Sequence, residues 1–297
     1  MSEEKSDPMS PPFEPRKVEQ PSTYFVQDRQ NEDELKRLMT QDHMLTSAMG
    51  GVLPEQEDLS TFRRVLDVGS GSGQWAIEVA QKYPHITVIG VDISLRMVEY
   101  ARAQAEAARV SDRVEFQVMD ALLILSFPSS FFDLVNMRMG GSFMRTWDWP
   151  KLLQEFRRVT RPDGVIRLTE PDMIQSGNGP ALKEFTVMLT CAMYRSGHLF
   201  TSEPIGTNAF IPDLLKQHGY KRVQTKEHSV RYRAGTAEGE AFYNDVAHML
   251  HTFRPYVEKW GCARNDYDTI CRQALDEMQR SDFYANWDLL TAWGYKS

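Results

Sequence analysis

Cysteine is scarce in this chain. Its 297 residues include three, Cys191, Cys262 and Cys271. An odd number cannot pair completely, and none sit at Cys-x-x-Cys spacing, so neither a disulfide framework nor a zinc site is expected. A reducing cytoplasm is the compartment that follows. His248 and His251 would share a helix face, but two ligands alone under-coordinate a metal, and no metal site is expected. No stretch of about twenty apolar residues exists, so no membrane-spanning helix is expected. No lysine- or arginine-rich block occurs and the formal charge is -7, which argues against a nucleic-acid track. The first residues carry acids and prolines, not a basic-then-apolar leader, so secretion is not expected. There is no internal repeat.

What is present is a soluble globular balance, 41% hydrophobic and 25% charged, and one dense motif. Asp67-Val68-Gly69-Ser70-Gly71-Ser72-Gly73 follows the β-branched and aliphatic run Arg64-Val65-Leu66 and precedes Gln74 to Ala80, which has helical apolar spacing. Strand, glycine turn and helix form the first crossover of an open parallel sheet. Glycines there let a ligand lie against bare backbone beside the electropositive start of a helix. Gln74 stands where a dinucleotide loop would carry its third glycine. Asp67 would repel a pyrophosphate but suits a ligand with an ammonium group. A second strand, Thr87 to Val91, ends in Asp92, about twenty residues past the loop, the spacing of a ribose-hydroxyl acceptor. A third, Val114 to Met119, ends in Asp120-Ala121. Three acids at successive strand ends would ring one adenosine-bearing, cationic ligand. Each acid taken alone also fits an ordinary turn or cap.

These stretches resemble the motifs of the class I S-adenosylmethionine-dependent methyltransferases. Val65 to Gly73 is similar to that family's first motif, and Val88 to Ser94 to its second-strand motif. Val118 to Ala121 is similar to the adenine-contacting motif, Phe132 to Val135 to the fourth strand, and Arg161 to Val165 to the turn into the fifth. The segment from Asp33 through Gly50-Gly51-Val52-Leu53-Pro54 also resembles methyltransferase-like proteins related to fungal regulators of secondary metabolism. The resemblance implies a doubly wound, seven-stranded, mostly parallel α/β sheet with helical additions forming a cap, and S-adenosylmethionine as cofactor. The implied cofactor contacts are Asp67, Gly69, Ser70, Gly71 and Gly73, then Asp92, Ile93 and Met97, then Asp120, Ala121 and Asn136.

Around that core, residues 1–22 read as a disordered arm and 23–297 as one methyltransferase domain. A helix over 31–50 reads as a lid, with Tyr24 and His43 as cofactor contacts; His43 equally fits simple packing on a helix face. Two helical segments, Glu240 to Trp260 and Asp266 to Arg280, fill an insertion over 237–281 between the last two strands, Tyr220 to Tyr232 and Trp287 to Tyr295. Of these the last is expected to lie antiparallel.

The ends of strands four and five should face the transferred methyl group. Arg138 there could hold a carboxylate or an anionic substrate, or pair with a nearby acid. Glu170 could orient the acceptor or cap its strand. His198, in Gly197-His198-Leu199-Phe200, is a candidate base. Methionines and aromatics after strands four and five could shape an apolar pocket or fill the core under a cap. The expected acceptor is a small, mostly apolar metabolite reacting through oxygen, nitrogen or carbon, with no nucleic-acid or membrane partner. A cofactor-binding regulatory protein with little turnover is the alternative. Gln74 and Asp67 argue against a nicotinamide oxidoreductase.

Overall fold

The structure, a computed structural model, describes residues 32–297. The arm expected over 1–22 and Tyr24 lie outside the described residues. Strands and amphipathic helices follow in the order β1 (Arg64–Val68), α2 (Gln74–Lys82), β2 (Thr87–Asp92), α3 (Leu95–Ala107), β3 (Val114–Val118), β4 (Phe132–Arg138), α4 (Trp149–Val159) and β5 (Thr160–Gly177), all after α1 (Glu32–Ala48), and they alternate except where β3 leads by a loop to β4. β4 is buried throughout except at its last residue, as a central parallel strand covered on both faces must be. α4 shows how sequence makes these helices. Leu152, Leu153, Phe156 and Val159 form its buried stripe, Pro150 occupies its first turn, and Arg157 and Arg158 sit at its electronegative end.

The sheet has seven strands in the order β3-β2-β1-β4-β5-β7-β6. β7 (Tyr284–Lys296) runs antiparallel between β5 and β6 (Tyr220–Arg233). This is the expected doubly wound sheet with its last strand inserted. One face is covered by α2 and α3, through Trp75, Val79, Val98 and Ala101, with Val52 and Leu53 from the loop after α1. The other is covered by α4 and α6 (Ile211–Gln217), through Leu152, Phe156, Ile211 and Leu215. A third core lies beyond the strand ends. There α5 (Pro180–Arg195), α7 (Ala237–Thr252), α8 (Arg254–Lys259) and α9 (Tyr267–Met278) pack on the far halves of β6 and β7, and Leu45 of α1 joins them. This is the cap.

The insertion holds three helices where the sequence suggested two segments. Pro255 lies in the first turn of α8. It has no amide to extend α7, so the chain breaks at Phe253, whose own amide still bonds to the Met249 carbonyl at 3.0 Å. β5 also runs well past the expected Val165 to Thr169. Pro171 pairs with Leu289 and Gln175 with Trp287, so β5 carries two more residues than β7 between these pairs. The bulge re-aims Asp172 and Met173 toward the sheet's upper end. The cysteine reading is overturned as well. Cys191 of α5 is bonded to Cys262 after α8, with their Cα atoms 5.9 Å apart. Spacing arithmetic cannot see a pair brought together by tertiary packing across 71 residues. Cys271 is free and half-buried.

Candidate active site

Above the C-terminal ends of β1, β2 and β4 lies a cavity of about 310 Å³, roofed by α1, α5 and α7. The loop between β1 and α2 makes its floor. Gly69, Gly71 and Gly73 all have positive φ, and the Gly69 and Ser70 amides bond to the Val91 carbonyl at 2.8 and 3.0 Å. A Cβ at Gly71 would meet no atom within 4 Å, so bare backbone faces open space there. Gly73 differs. A Cβ there would come within 2.5 Å of the Phe116 ring and 2.7 Å of Ala101. Gly73 is therefore needed to seat the loop on α3 and β3, and it does not line the cavity.

Asp92 is held at both oxygens. Gly71 donates its amide to one at 2.9 Å and Ser94 to the other at 2.9 Å. Asp120 accepts the Leu122 amide at 2.9 Å in a tight turn. Asp92, Ile93, Met97, Asp120 and Ala121 all line the cavity, as does Asp67. Asp67 is 4% exposed. Burial pushes its carboxyl up to about 7, against the pull of Arg138 and of the Asn136 side chain. Asn136 does not reach the cavity. Its Nδ2 donates to Asp67 at 2.7 Å from the layer below.

Arg138 lines the cavity but its charge is used. It is paired with Asp42 of α1, donates to Thr46 Oγ1 at 3.1 Å, and lies 5.9 Å from the Trp75 ring centroid. Of the roles open to it in the sequence, pairing with an acid is the one observed. Glu170 also lines the cavity, and its two oxygens accept the amides of Gly140 and Gly141 at 2.6 and 2.9 Å. A Cβ at Gly141 would sit 2.8 Å from Thr207 Oγ1 and 3.1 Å from Glu170, so the glycines permit this clamp. Burial pushes the Glu170 carboxyl up to about 8, although both amides favour its charged form.

Besides Gly73 and Asn136, two more expected site residues, His43 and His198, are not brought here. His43 is exposed; α1 presents Arg37, Leu38, Gln41, Asp42 and Leu45 to the cavity instead, a face that its neighbours select. His198 is buried in the cap, where Ser196 Oγ lies 2.8 Å from its Nδ1 and Tyr256 holds the same nitrogen at 3.4 Å. It does not line the cavity. The sequence reading missed Arg37, Glu55 and Arg167, and it did not single out Leu182, Phe185 and Leu189 of α5 or Met249 of α7. Arg167 had a visible signal, a charge in the middle of the apolar run Val165-Ile166-Arg167-Leu168.

The donor set suits S-adenosylmethionine. Ser70 Oγ is buried without a hydrogen-bond partner among the described residues, the backbone at Gly71 is open, and three carboxyls flank the loop. Residues 65–164 match the methyltransferase domain family. The 27-O-demethylrifamycin SV methyltransferase of Amycolatopsis mediterranei is 33% identical over 148 residues, covering 50% of this chain and 52% of that protein. The secondary metabolism regulator laeA of Coprinopsis cinerea is 25% identical over 234 residues, covering 74% of this chain and 56% of that one. Among solved structures, phosphoethanolamine N-methyltransferase 2 of Haemonchus contortus, with phosphomonomethylethanolamine and S-adenosylhomocysteine, superposes with a TM-score of 0.52 at 20% identity. It covers 90% of this chain and 58% of that one, a likeness of fold. The chain spans about half the length of the curated relatives it matches first. The sheet order, the glycine loop and the family match fall on the same residues, so the stretch over 65–164 is a methyltransferase domain of the class I, S-adenosylmethionine-dependent kind.

Proposed function

We propose that this chain transfers a methyl group from S-adenosylmethionine to a small, mostly apolar acceptor. One observation carries the reading. The cavity that holds the glycine loop, Asp92 and Asp120 is also lined by Met173, Phe185, Leu189, Met249, Phe253 and Trp287 from the bulge, the cap helices and β7. S-adenosylmethionine, when bound, supplies a methyl group on a cationic sulfur, open to in-line displacement. The chain's part is to bind, align and keep water out. Asp92, fixed by two amides, faces the ribose hydroxyls. Asp67 faces the ammonium, and Asp120 with Ala121 frames the adenine. Glu170 and the bulged Asp172 stand on the apolar side of the cavity as the groups that orient the acceptor's nucleophile. Among the described lining residues the only cations are Arg37 and Arg138, and both are paired to acids, Asp245 and Asp42. That argues against a phosphorylated acceptor or a nucleic acid, which need available positive charge.

The likeness to the Coprinopsis regulator, longer than that to the rifamycin enzyme, supports a second reading: a cofactor-binding regulatory protein with little turnover. Calorimetry with S-adenosylmethionine, followed by incubation with a set of apolar alcohols, phenols and amines, separates the two. The expected outcome is binding, weakened in Asp92→Ala by about 1.5–3 kcal/mol, the scale of lost charge-assisted hydrogen bonds, and S-adenosylhomocysteine release with at least one acceptor. Binding without release across the set favours the regulator. No binding by the wild-type chain sinks both.

A further inference from the structure

Three neighbouring strands of the sheet place polar side chains on one rung. Asp67 of β1 is level with Asn136 of β4, and Asn136 with Arg167 of β5. The same register pairs Val65 with Leu134, and Leu134 with Val165, and those side chains belong to the apolar core under α2 and α3. A polar line here is therefore costly unless every group is satisfied. It is joined end to end. Asn136 Nδ2 donates to Asp67 at 2.7 Å, and Arg167 Nη1 donates to Asn136 Oδ1 at 2.7 Å. Arg167 then donates from Nε and Nη2 to Glu55 at 2.7 and 3.4 Å. Glu55 comes from the loop behind α1, and both side chains of this ion pair are 0% exposed.

The direction of these bonds follows from chemistry. A guanidinium only donates. Facing Arg167, Asn136 must turn its carbonyl oxygen that way, which leaves its NH2 for Asp67. A donor at Asp67 favours the carboxylate over the acid. Glu55, by taking Nε and Nη2, aims Nη1 at Asn136 and neutralises a cation the core could not otherwise hold. We propose that Glu55 and Arg167 are positioning residues that fix Asn136 as a donor to Asp67, and so set the charge with which Asp67 meets the ammonium of a bound cofactor. The inference rests on the cofactor reading above. The charged groups facing Asp67 are Arg138 from β4, Asp42 from α1 and Arg167 from β5. His228 of β6 feels both Arg167 and Glu55 from the far side of the pair. Burial holds Asp67 up at about 7 against these cations, so a change in Asn136 acts within the ordinary pH range.

The test is calorimetric titration of the full chain between pH 5.5 and 8.5 with two probes. S-adenosylhomocysteine carries the ammonium; 5′-methylthioadenosine does not. In the wild type, affinity for the first should rise with pH and level off above about 7, and affinity for the second should stay flat. Glu55→Leu with Arg167→Met removes the ion pair as a unit, an exchange that folded proteins tolerate. It should move the midpoint for S-adenosylhomocysteine up by about one pH unit, about a tenfold loss below that midpoint, and leave 5′-methylthioadenosine unchanged. Glu55→Gln alone should move the midpoint down, because Arg167 loses its counter-charge. If the double variant does not fold, that downward shift decides alone. A folded variant with an unmoved midpoint, or an equal loss for both probes, overturns the inference while the cofactor reading stands. A wild-type chain that binds neither probe overturns the cofactor reading and this inference with it.

Discussion

Two buried carboxyls, Asp67 and Glu170, carry the site's titration behaviour. Each is raised by burial, to about 7 from 3.8 and to about 8 from 4.5. A carboxyl whose folded pKa lies above its unfolded one keeps its proton in the native chain after the unfolded chain has released it. Stability from such a group is lost as pH rises through the window between the two values. His228 works oppositely, since burial lowers its pKa, so wild type should be compared with a variant and not with itself. Asp67→Asn keeps an oxygen for Asn136 and cannot ionise. We expect its melting temperature, relative to wild type in the absence of ligand, to climb from pH 5 to about 7 and then level; a difference independent of pH in scanning calorimetry would contradict this. At this scale the sequence was legible where a contact is local. Asp92 reaches Gly71 and Ser94 within one crossover, and Asp120 reaches Leu122. It was not legible where strands bring distant residues level. Nothing near Asn136 in the chain says that Arg167 determines what it donates to, and nothing near Glu55 says that it will be buried.

α1 was recognisable as a helix, and it roofs the cavity, but its orientation was not. A helix has one inward stripe, and which residues lie on it depends on the neighbours. Here the neighbours include α7, α2, β6 and the end of β4, and polar pairs to α7 and β4 fix the choice. Arg37 donates to Asp245 at 2.7 Å with both side chains 3% exposed, Gln41 reaches the same carboxylate at 3.3 Å, and Asp42 takes Arg138. With those positions inside, His43 lies outside. Arg37→Met should therefore cost about 3–5 kcal/mol in urea unfolding, because Asp245 is left buried and charged. Arg37→Met combined with Asp245→Leu should recover most of that loss. If the single and double variants are equally unstable, the ion pair is not what holds α1. Hydrogen exchange over 32–48 should rise in the single variant and fall when S-adenosylhomocysteine is added; exchange that ignores the ligand would remove α1 from the role of lid. The cap's other helices were visible as helices, whereas the break at Pro255 was read through because the flanking apolar residues keep their period.

For the whole molecule, the doubly wound sheet with its last strand inserted followed from the family resemblance of the motifs, and the cap's covalent tie did not follow from anything in the sequence. Cys191–Cys262 closes a loop of 71 residues that includes β6, α7 and α8. In the chain-entropy account such a loop is worth about 4 kcal/mol. Cys262→Ser should lower the unfolding midpoint by a matching amount in the absence of reductant, and wild type under reductant should fall to the same place. Thiol titration of the unfolded, unreduced chain should find Cys271 alone; three reactive thiols would show that the bond does not form. Among the described residues, no helix is long and apolar enough to cross a membrane. The placement of β7 bears on how the chain is made. It lies between β5 and β6 but follows both in the sequence, after three cap helices. As synthesis proceeds, β5 and β6 emerge with no partner for their facing edges, and α7 to α9 emerge with no strand to complete their core. The thirteen residues of β7 fill both gaps at once. Until they arrive the nascent chain exposes two open strand edges, the state most prone to pair with a neighbour, so its dependence on chaperones should be concentrated in that interval of translation.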